Sequence, residues 1–104
     1  MGRKEWIKIL ESDFQKSIID TIKRRFSGSI VLKNDANYIQ GFPDLIILYK
    51  DKWACLEVKR DHNSSRQPNQ EWYIDLLKHM SFAAFIHPSN KEDVLNELAR
   101  TFES

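Results

Sequence analysis

The sequence predicts a single α/β domain in which helices cover both faces of a mixed sheet, with elements in the order α-β-β-β-α-β-α. Three observations support this fold class. The chain has 104 residues, which is enough for one hydrophobic core and too few for two domains. Two apolar runs, at residues 44–49 and 53–59, are continuous enough to be buried on both faces of a sheet. Segments with apolar residues at helical spacing precede and follow these runs.

The first helix is predicted from apolar residues that recur every four positions, and it ends near the Ser-Gly-Ser sequence at residues 27–29. Its apolar stripe consists of Leu10, Phe14, Ile18, Ile22 and Phe26. A short strand follows at residues 29–33. The two apolar runs then form a β-hairpin, because only a short polar turn separates them.

The second half of the chain predicts a helix, a strand and a last helix. The helix begins at Gln67 or Pro68, runs to about His79, and carries Trp72, Leu76 and Met80 at four-residue spacing. Residues 83–87 form the next strand. Asn90 is predicted to cap the last helix, which has Asp93 at its third position and turns Val94, Leu95 and Leu98 inward.

Composition and charge exclude several classes of protein. Hydrophobic residues make up 41% of the chain and charged residues 30%, which is a globular balance. The formal net charge of +1 excludes a uniformly basic coating, so nucleic-acid binding would need a local basic face. No run approaches the roughly 20 apolar residues of a membrane span, which predicts a cytosolic protein. The single cysteine, Cys55, lies in an apolar strand and is predicted to be a small buried hydrophobe.

The predicted β-hairpin contains the side chains that indicate a chemical function. Asp44 and Glu57 supply two carboxylates on neighbouring strands, and Lys59 returns to the same face two residues after Glu57. Mg²⁺ prefers a few carboxylate oxygens together with water, and such an ion can bridge a phosphodiester and an attacking water. A lysine beside them can orient or deprotonate that water, or stabilise negative charge. These residue types predict metal-dependent phosphodiester hydrolysis.

The register of the hairpin makes this interpretation testable. If residues 49–52 form a four-residue turn, Leu48 faces Trp53 and Asp44 faces Glu57. A three-residue turn would instead place Asp44 opposite Val58. The chemistry therefore predicts the longer turn, or a bulge near Asp44.

The Pro43-Asp44 pair and the Glu57-Val58-Lys59 run resemble the signature of the PD-(D/E)xK nuclease superfamily, and residues 11–86 resemble its virus-type replication-repair nuclease (VRR-NUC) domain. The resemblance implies a restriction-endonuclease-like fold. It also implies roles for individual residues: metal ligation by Asp44, Glu57 and Glu11 and by the backbone carbonyl of Val58, and catalysis by Asp44, Glu57, Lys59, Glu11 and Gln70. Gln67 rivals Gln70 as the site glutamine.

Several residues near this motif are candidate contacts to a nucleic acid. The candidates are Lys33, Tyr38, Gly41, Arg60, Arg66 and Gln67. Tyr38 lies in the long loop before Asp44, where it either stacks on an exposed base or closes the core. Gly41 indicates either a close backbone approach or a turn with positive φ.

The resemblance implies an endodeoxyribonuclease dependent on Mg²⁺ or Mn²⁺, selective for branched DNA such as a Holliday junction or a flap, in the cytosol of a bacterium or phage-infected host. A chain this small can hold two symmetric strands only as a dimer, so a C2 homodimer is expected. Candidate dimer surfaces include Trp6 and Ile7, and Trp72 and Tyr73. Two alternatives remain: a non-catalytic DNA-binding or assembly module, and a sequence-specific restriction-type nuclease.

Overall fold

The computed structural model describes residues 3–35 and 37–104, and the side chains from residue 10 onward within those ranges. The suggested dimer surface at Trp6 and Ile7 lies outside the described side chains. The elements follow the predicted order: α1 (Arg3–Arg25), β1 (Ile30–Lys33), β2 (Leu45–Tyr49), β3 (Lys52–Val58), α2 (Pro68–Met80), β4 (Phe82–Ile86) and α3 (Lys91–Phe102).

The four strands form one mixed sheet in the order β1-β2-β3-β4. β1 and β3 each pair antiparallel with β2, whereas β4 pairs parallel with β3 after the connection through α2. The predicted α/β class, element order and helices on both faces are therefore confirmed. Of the residues that the structure describes, no helix is both long and apolar enough to cross a membrane.

The larger core lies on the face of the sheet that α1 and α3 cover. Three residues of the predicted α1 stripe, Ile18, Ile22 and Phe26, are fully or almost fully buried there. They pack with the inward residues of α3 and with alternate residues of β2 and β3. Leu10, the first residue of the stripe, is more than a third exposed, so the buried part of α1 begins further along the helix.

The opposite face holds a smaller core beneath α2. Ile74 and Leu77 of α2 pack on Cys55, Ala83 and Phe85 of the sheet. Cys55 is buried, as predicted, and this burial raises the pKa of its thiol to about 11. Such a thiol stays protonated and unreactive at neutral pH.

The apolar stripe noted on α2 does not contribute to this core. Trp72, Leu76 and Met80 are all exposed, whereas Ile74 and Leu77 provide the buried contacts. The prediction that the hairpin is covered on both faces is correct for β3 but not for the outer part of β2, because Leu48 is exposed beside β1. α2 packs on β3 and β4 and leaves the β1–β2 half of its face open.

Asn90 precedes α3 as predicted, but its side chain does not cap the helix. Its Oδ1 accepts a hydrogen bond from the His87 backbone N–H at 2.8 Å, and its Nδ2 donates to the Phe85 carbonyl at 3.0 Å. The side chain therefore joins the end of β4 to the start of α3, because the carbonyl and N–H groups beyond the strand need partners.

Candidate active site

The hairpin register places the two predicted carboxylates opposite each other. Leu48 pairs with Trp53 and Leu45 with Leu56, so the next position outward sets Asp44 against Glu57. The turn of residues 49–52 has the predicted length, and Lys50 adopts φ +56° within it. The register expected from the chemistry is therefore confirmed.

Asp44 is fixed on both sides by backbone hydrogen bonds. The Val58 N–H donates to Asp44 Oδ2 at 2.9 Å, which ties the carboxylate to β3. The Asn34 N–H donates to the Asp44 carbonyl at 2.8 Å, which continues the β1–β2 ladder by one bond. Backbone donors hold a carboxylate in a single orientation, so one oxygen of Asp44 is anchored and the other faces the site.

A partly buried hydrogen-bond network connects Lys59, Gln70 and Glu57. Lys59 Nζ donates to Gln70 Oε1 and to the Ser65 carbonyl, each at 2.8 Å. Gln70 Nε2 donates in turn to Glu57 Oε2 at 3.2 Å, and Lys59 Nζ lies 4.0 Å from the same oxygen. The predicted approach of Lys59 to the Glu57 carboxylate is thus observed.

Gln70 rather than Gln67 is the glutamine of this network. Both residues lie at the start of α2, where Gln67 is the N-cap. The Gln67 backbone N–H donates to Gln70 Oε1 at 3.1 Å, so Gln67 helps to orient the Gln70 amide. Gln70 lines the same cleft as Glu57 and Lys59.

Burial strongly affects the charge of Glu57, which is 4% exposed. Desolvation, and then the neighbouring Asp44 carboxylate, raise the pKa of Glu57 from 4.5 to about 8, although the Lys59 ammonium opposes the shift. When two carboxylates are held close together with little solvent around them, the state in which they share one proton is favoured over the state in which both are negatively charged. A cation bound between them would relieve the same repulsion.

The carboxylates open into a cleft of about 460 Å³ between α1 and the start of α2. Glu11, Ser12 and Gln15 of α1 form one wall. Burial raises the pKa of Glu11, although the charges of Lys59 and Arg60 oppose the effect. The first-helix acid of the predicted site therefore lies in the cleft with Asp44, Glu57 and Lys59.

The oxygen donors in this cleft suit an ion that keeps several water ligands, such as Mg²⁺ or Mn²⁺. They suit less well a metal ion that is coordinated entirely by protein side chains. Among residues 3–35 and 37–104, no group of three or more His, Cys, Asp or Glu side chains is arranged to hold a metal ion. Glu11 thus lines the cleft without joining Asp44 and Glu57 in a three-side-chain group. Two carboxylates alone leave coordination positions for water, which Mg²⁺ prefers.

The three candidate substrate contacts that precede Asp44 in the chain differ in exposure and in backbone conformation. Lys33 is exposed at the end of β1. Tyr38 is 82% exposed, which rules out the alternative that it closes the core. Gly41 has φ +85°, and a Cβ there would collide with Cβ of Asn69, so both interpretations of this glycine are confirmed.

The other three candidates lie after β3 in the chain. Arg60 forms a 3.0 Å ion pair with Asp61, and Arg66 places its guanidinium 4.0 Å from the centre of the Phe85 ring. Gln67 and Gly41 line a second cavity of about 350 Å³ beside the start of α2. None of these three residues lines the cleft that contains the carboxylates.

Sequence reasoning missed three contributors to the site. Ser12 lines the cleft together with Gln15, and the three-residue spacing that puts these two residues on one face of the helix was the available signal. Ser65 supplies a backbone carbonyl to Lys59, for which a sequence carries no signal. The Asn34 side chain donates to the carbonyls of Ile39 and Phe42 at 3.5 and 3.4 Å, so it helps to close the loop before Asp44.

Comparison with known proteins identifies the fold. A solved structure described as a VRR_NUC domain protein superposes with a TM-score of 0.65 over 90% of this chain and 88% of that one, at 19% sequence identity. No family model matches the sequence, and no curated protein does. The chain therefore has the fold of that VRR_NUC domain protein.

Proposed function

We propose that this protein is a Mg²⁺- or Mn²⁺-dependent endonuclease that hydrolyses phosphodiester bonds in branched DNA, such as a four-way junction or a flap. The observation that carries the proposal is the pair of facing carboxylates Asp44 and buried Glu57, with Glu57 joined through Gln70 to Lys59 on one side of a cleft. The shared fold with a VRR_NUC domain protein supports a nuclease over other phosphate-ester chemistries.

The carboxylate pair supports a cation site. Burying two carboxylates together without a cation is costly, and the raised pKa of Glu57 expresses that cost. Asp44, Glu57 and the Val58 carbonyl would hold the ion, while Glu11 would add negative charge from the opposite wall. The bound ion would polarise the scissile phosphate and lower the pKa of a coordinated water.

Lys59 is placed to act on the phosphate or on the attacking water. An ammonium has three donors, and two of them are used by Gln70 Oε1 and the Ser65 carbonyl. The third donor serves the cleft, where it orients the attacking water or stabilises charge that develops on a phosphate oxygen. Gln70 holds Lys59 and Glu57 in fixed relation, because one amide bonds both side chains.

The proposed preference for branched DNA is supported by the loop before Asp44. Tyr38 projects from this loop with its ring exposed, and an aromatic ring in that position can stack on a base that is not paired within a duplex. Four-way junctions contain two equivalent strands, so the proposed enzyme acts as a C2 homodimer with one site for each strand.

Cleavage assays on labelled four-way junction, flap, linear duplex and single-stranded DNA test this function. Each substrate is incubated with Mg²⁺, Mn²⁺ or a chelator. Asp44→Asn, Glu57→Gln and Lys59→Met should each lower the cleavage rate on the order of 10³-fold, which corresponds to about 4 kcal/mol of transition-state stabilisation. Asp51→Asn is the matched control, because Asp51 is an exposed carboxylate in the turn of the same hairpin.

The proposal predicts metal-dependent cutting that is fastest on a branched substrate and is unaffected by Asp51→Asn. Cutting that continues at the wild-type rate in Asp44→Asn would contradict the assigned site. Folded protein that binds DNA but cuts none of the four substrates would favour the non-catalytic DNA-binding module.

A further inference from the structure

The second cavity adjoins the cleft that contains the carboxylates and has no part in the chemistry proposed above. It measures about 350 Å³ and lies between Gln40 and Gly41 of the loop before β2 and residues 67–70 at the start of α2. Gln70 lines both the cavity and the cleft, so the two spaces share a wall. A DNA strand whose scissile phosphate lies in the cleft would therefore bring a neighbouring nucleotide to this cavity.

The lining of the cavity is polar and uncharged. Four of the six described residues that form it carry side-chain amides, and none carries a charge. The amides belong to Gln40, Gln67, Asn69 and Gln70. A carboxamide presents a hydrogen-bond donor beside an acceptor. The lining therefore suits a neutral ligand that has donors and acceptors of its own.

A phosphate is a poor match for this cavity, although α2 begins beside it. Pro68 has no backbone N–H, and the N–H groups of Gln70 and Glu71 already donate to the Gln67 carbonyl at 2.9 and 3.2 Å. Glu71 also places a carboxylate in the first turn of the helix. The start of α2 therefore offers few of the donors, and little of the positive potential, that attract an anion to a helix N-terminus.

Two of the four amides are available to a ligand. The Gln70 amide is already bonded within the network of the cleft, and Gln67 belongs to the N-terminal cap of α2. Gln40 lines the cavity from the loop and Asn69 lines it from the helix, and both residues are exposed. A Cβ at Gly41 would collide with Cβ of Asn69, so loop and helix meet closely beside these two amides.

We propose that this cavity binds one unpaired nucleobase next to the cleaved phosphodiester, and that Gln40 and Asn69 recognise the base through hydrogen bonds. The volume is at the small end of the range for small-molecule sites, which suits a single base. Adenine is the expected base, because its N6 amino group and N7 form the adjacent donor and acceptor that a carboxamide matches. The inference rests on the proposed nuclease function and adds a base preference to it.

The cavity and Tyr38 contribute differently to the binding of an unpaired base. Tyr38 lies two residues before Gln40, and its exposed ring can stack on any base, because every base has a π-face. Hydrogen bonds from Gln40 and Asn69 instead read the edge of the base. Loss of the ring should therefore weaken all bases alike, whereas loss of an amide should change the preference among them.

Binding of labelled single-stranded DNA in the presence of a chelator tests the cavity without cleavage. The probes are a thymine tract and the same tract with one central adenine, cytosine or guanine. Wild type should bind the adenine probe roughly tenfold more tightly than the thymine tract. Asn69→Ala and Gln40→Ala should each remove most of this preference, whereas Tyr38→Ala should weaken all four probes alike. Asn96→Ala is the matched control and should keep the preference, because Asn96 is an exposed asparagine on α3, which covers the opposite face of the sheet.

Asn69→Asp is a sharper variant, because it changes the hydrogen-bonding pattern and keeps the size of the side chain. A carboxylate only accepts hydrogen bonds, so the preference should move from adenine to cytosine, whose N4 amino group is a donor. The ratio of affinities for the two probes is the readout, so a general loss caused by the added negative charge cancels. An acid in the first turn favours a helix, and circular dichroism should show an unchanged fold.

Cleavage of a four-way junction with randomised bases at the crossover separates failure of this inference from failure of the proposed function. Sequenced product ends should show adenine enriched beside the cut for wild type and for Asn96→Ala, and no such enrichment for Asn69→Ala. Metal-dependent cutting with the same base composition in wild type and Asn69→Ala would overturn the base pocket and leave the nuclease function intact. No cutting, together with an adenine preference in binding that Asn69→Asp moves to cytosine, would support the pocket and overturn the nuclease function. Equal binding of all four probes by wild type would overturn the pocket.

Discussion

The two faces of the sheet differ in what their buried residues do. Among the side chains that the structure describes, those buried beneath α1 and α3 form the large apolar core, with residues such as Ile22, Leu56 and Leu98. The face that carries α2 buries a smaller apolar cluster, and its buried ionisable residues, Glu57 and Lys59, lie at one end of β3. The larger apolar core and the buried ionisable groups therefore lie on opposite sides of β3.

This division has a physical reason. A buried carboxylate and a buried lysine cost free energy unless bonded partners compensate them, so a small domain must obtain its stability elsewhere. The alternation of side chains along β3 satisfies both needs, because Leu56 and Val58 enter the large core while Glu57 points the other way. Three tests can break or sharpen this comparison.

Truncation of core leucines should have the largest effect. Leu98→Ala, on the α3 face, should lower the free energy of unfolding by about 3–4 kcal/mol, and Leu77→Ala, beneath α2, by about 2–3 kcal/mol. Leu10→Ala, at an exposed position, should cost less than about 1 kcal/mol. Urea denaturation of the three variants gives the values. A Leu77→Ala loss as large as that of Leu98→Ala would contradict the unequal division of stability.

Gly41→Ala should have the next largest effect, because it disturbs the contact between the loop before Asp44 and the start of α2. An alanine there must keep positive φ and also displace Asn69, so we expect a loss of about 2–3 kcal/mol. Gly28→Ala is the control: it has φ +91° with nothing within 4 Å, and should lose only about 1 kcal/mol. If thermal unfolding shows equal losses of stability for Gly41→Ala and Gly28→Ala, the collision with Asn69 adds nothing to the cost of the substitution.

The parts of the site that could be predicted are those governed by strand geometry. The position of Asp44 opposite Glu57 follows from side-chain alternation once the longer of the two possible turns is chosen, and the chemistry of the two carboxylates favoured that turn. The choice between Gln67 and Gln70 could not be made in advance, because the direction of each side chain depends on the residue at which α2 begins.

For a related reason, the sequence could not show which face of α2 is buried. The helix has two sets of apolar residues, Trp72-Leu76-Met80 on one flank and Ile74-Leu77 on another, and periodicity does not state which one meets the sheet. Asn90 was also misjudged as a side-chain cap, because its amide competes for backbone groups at the end of β4 that only the folded chain brings near.

The smallest expected effect is a dependence of stability on pH that belongs to the α2 side of the sheet. Because burial and Asp44 raise the pKa of Glu57 from 4.5 to about 8, the folded chain holds a proton that the unfolded chain releases. This contribution is complete below pH 4.5, declines as the pH rises, and is lost above about pH 8. Without metal, the unfolding free energy should therefore fall by at least about 1 kcal/mol across that interval.

Glu57→Gln should remove most of this dependence, because a neutral amide takes the place of the protonated carboxyl. Glu92→Gln, an exposed position on α3, should retain it. Mg²⁺ should restore the stability of wild type above pH 8 and have little effect on Glu57→Gln, since a cation between Asp44 and Glu57 replaces the lost proton. Urea titrations at several pH values, with and without Mg²⁺, measure all three outcomes. If Glu57→Gln leaves the pH profile of the unfolding free energy unchanged, the Asp44–Glu57 pair does not determine the free-energy cost of burying charge on the α2 side. The contrast between the two sides of β3 would then depend on packing alone.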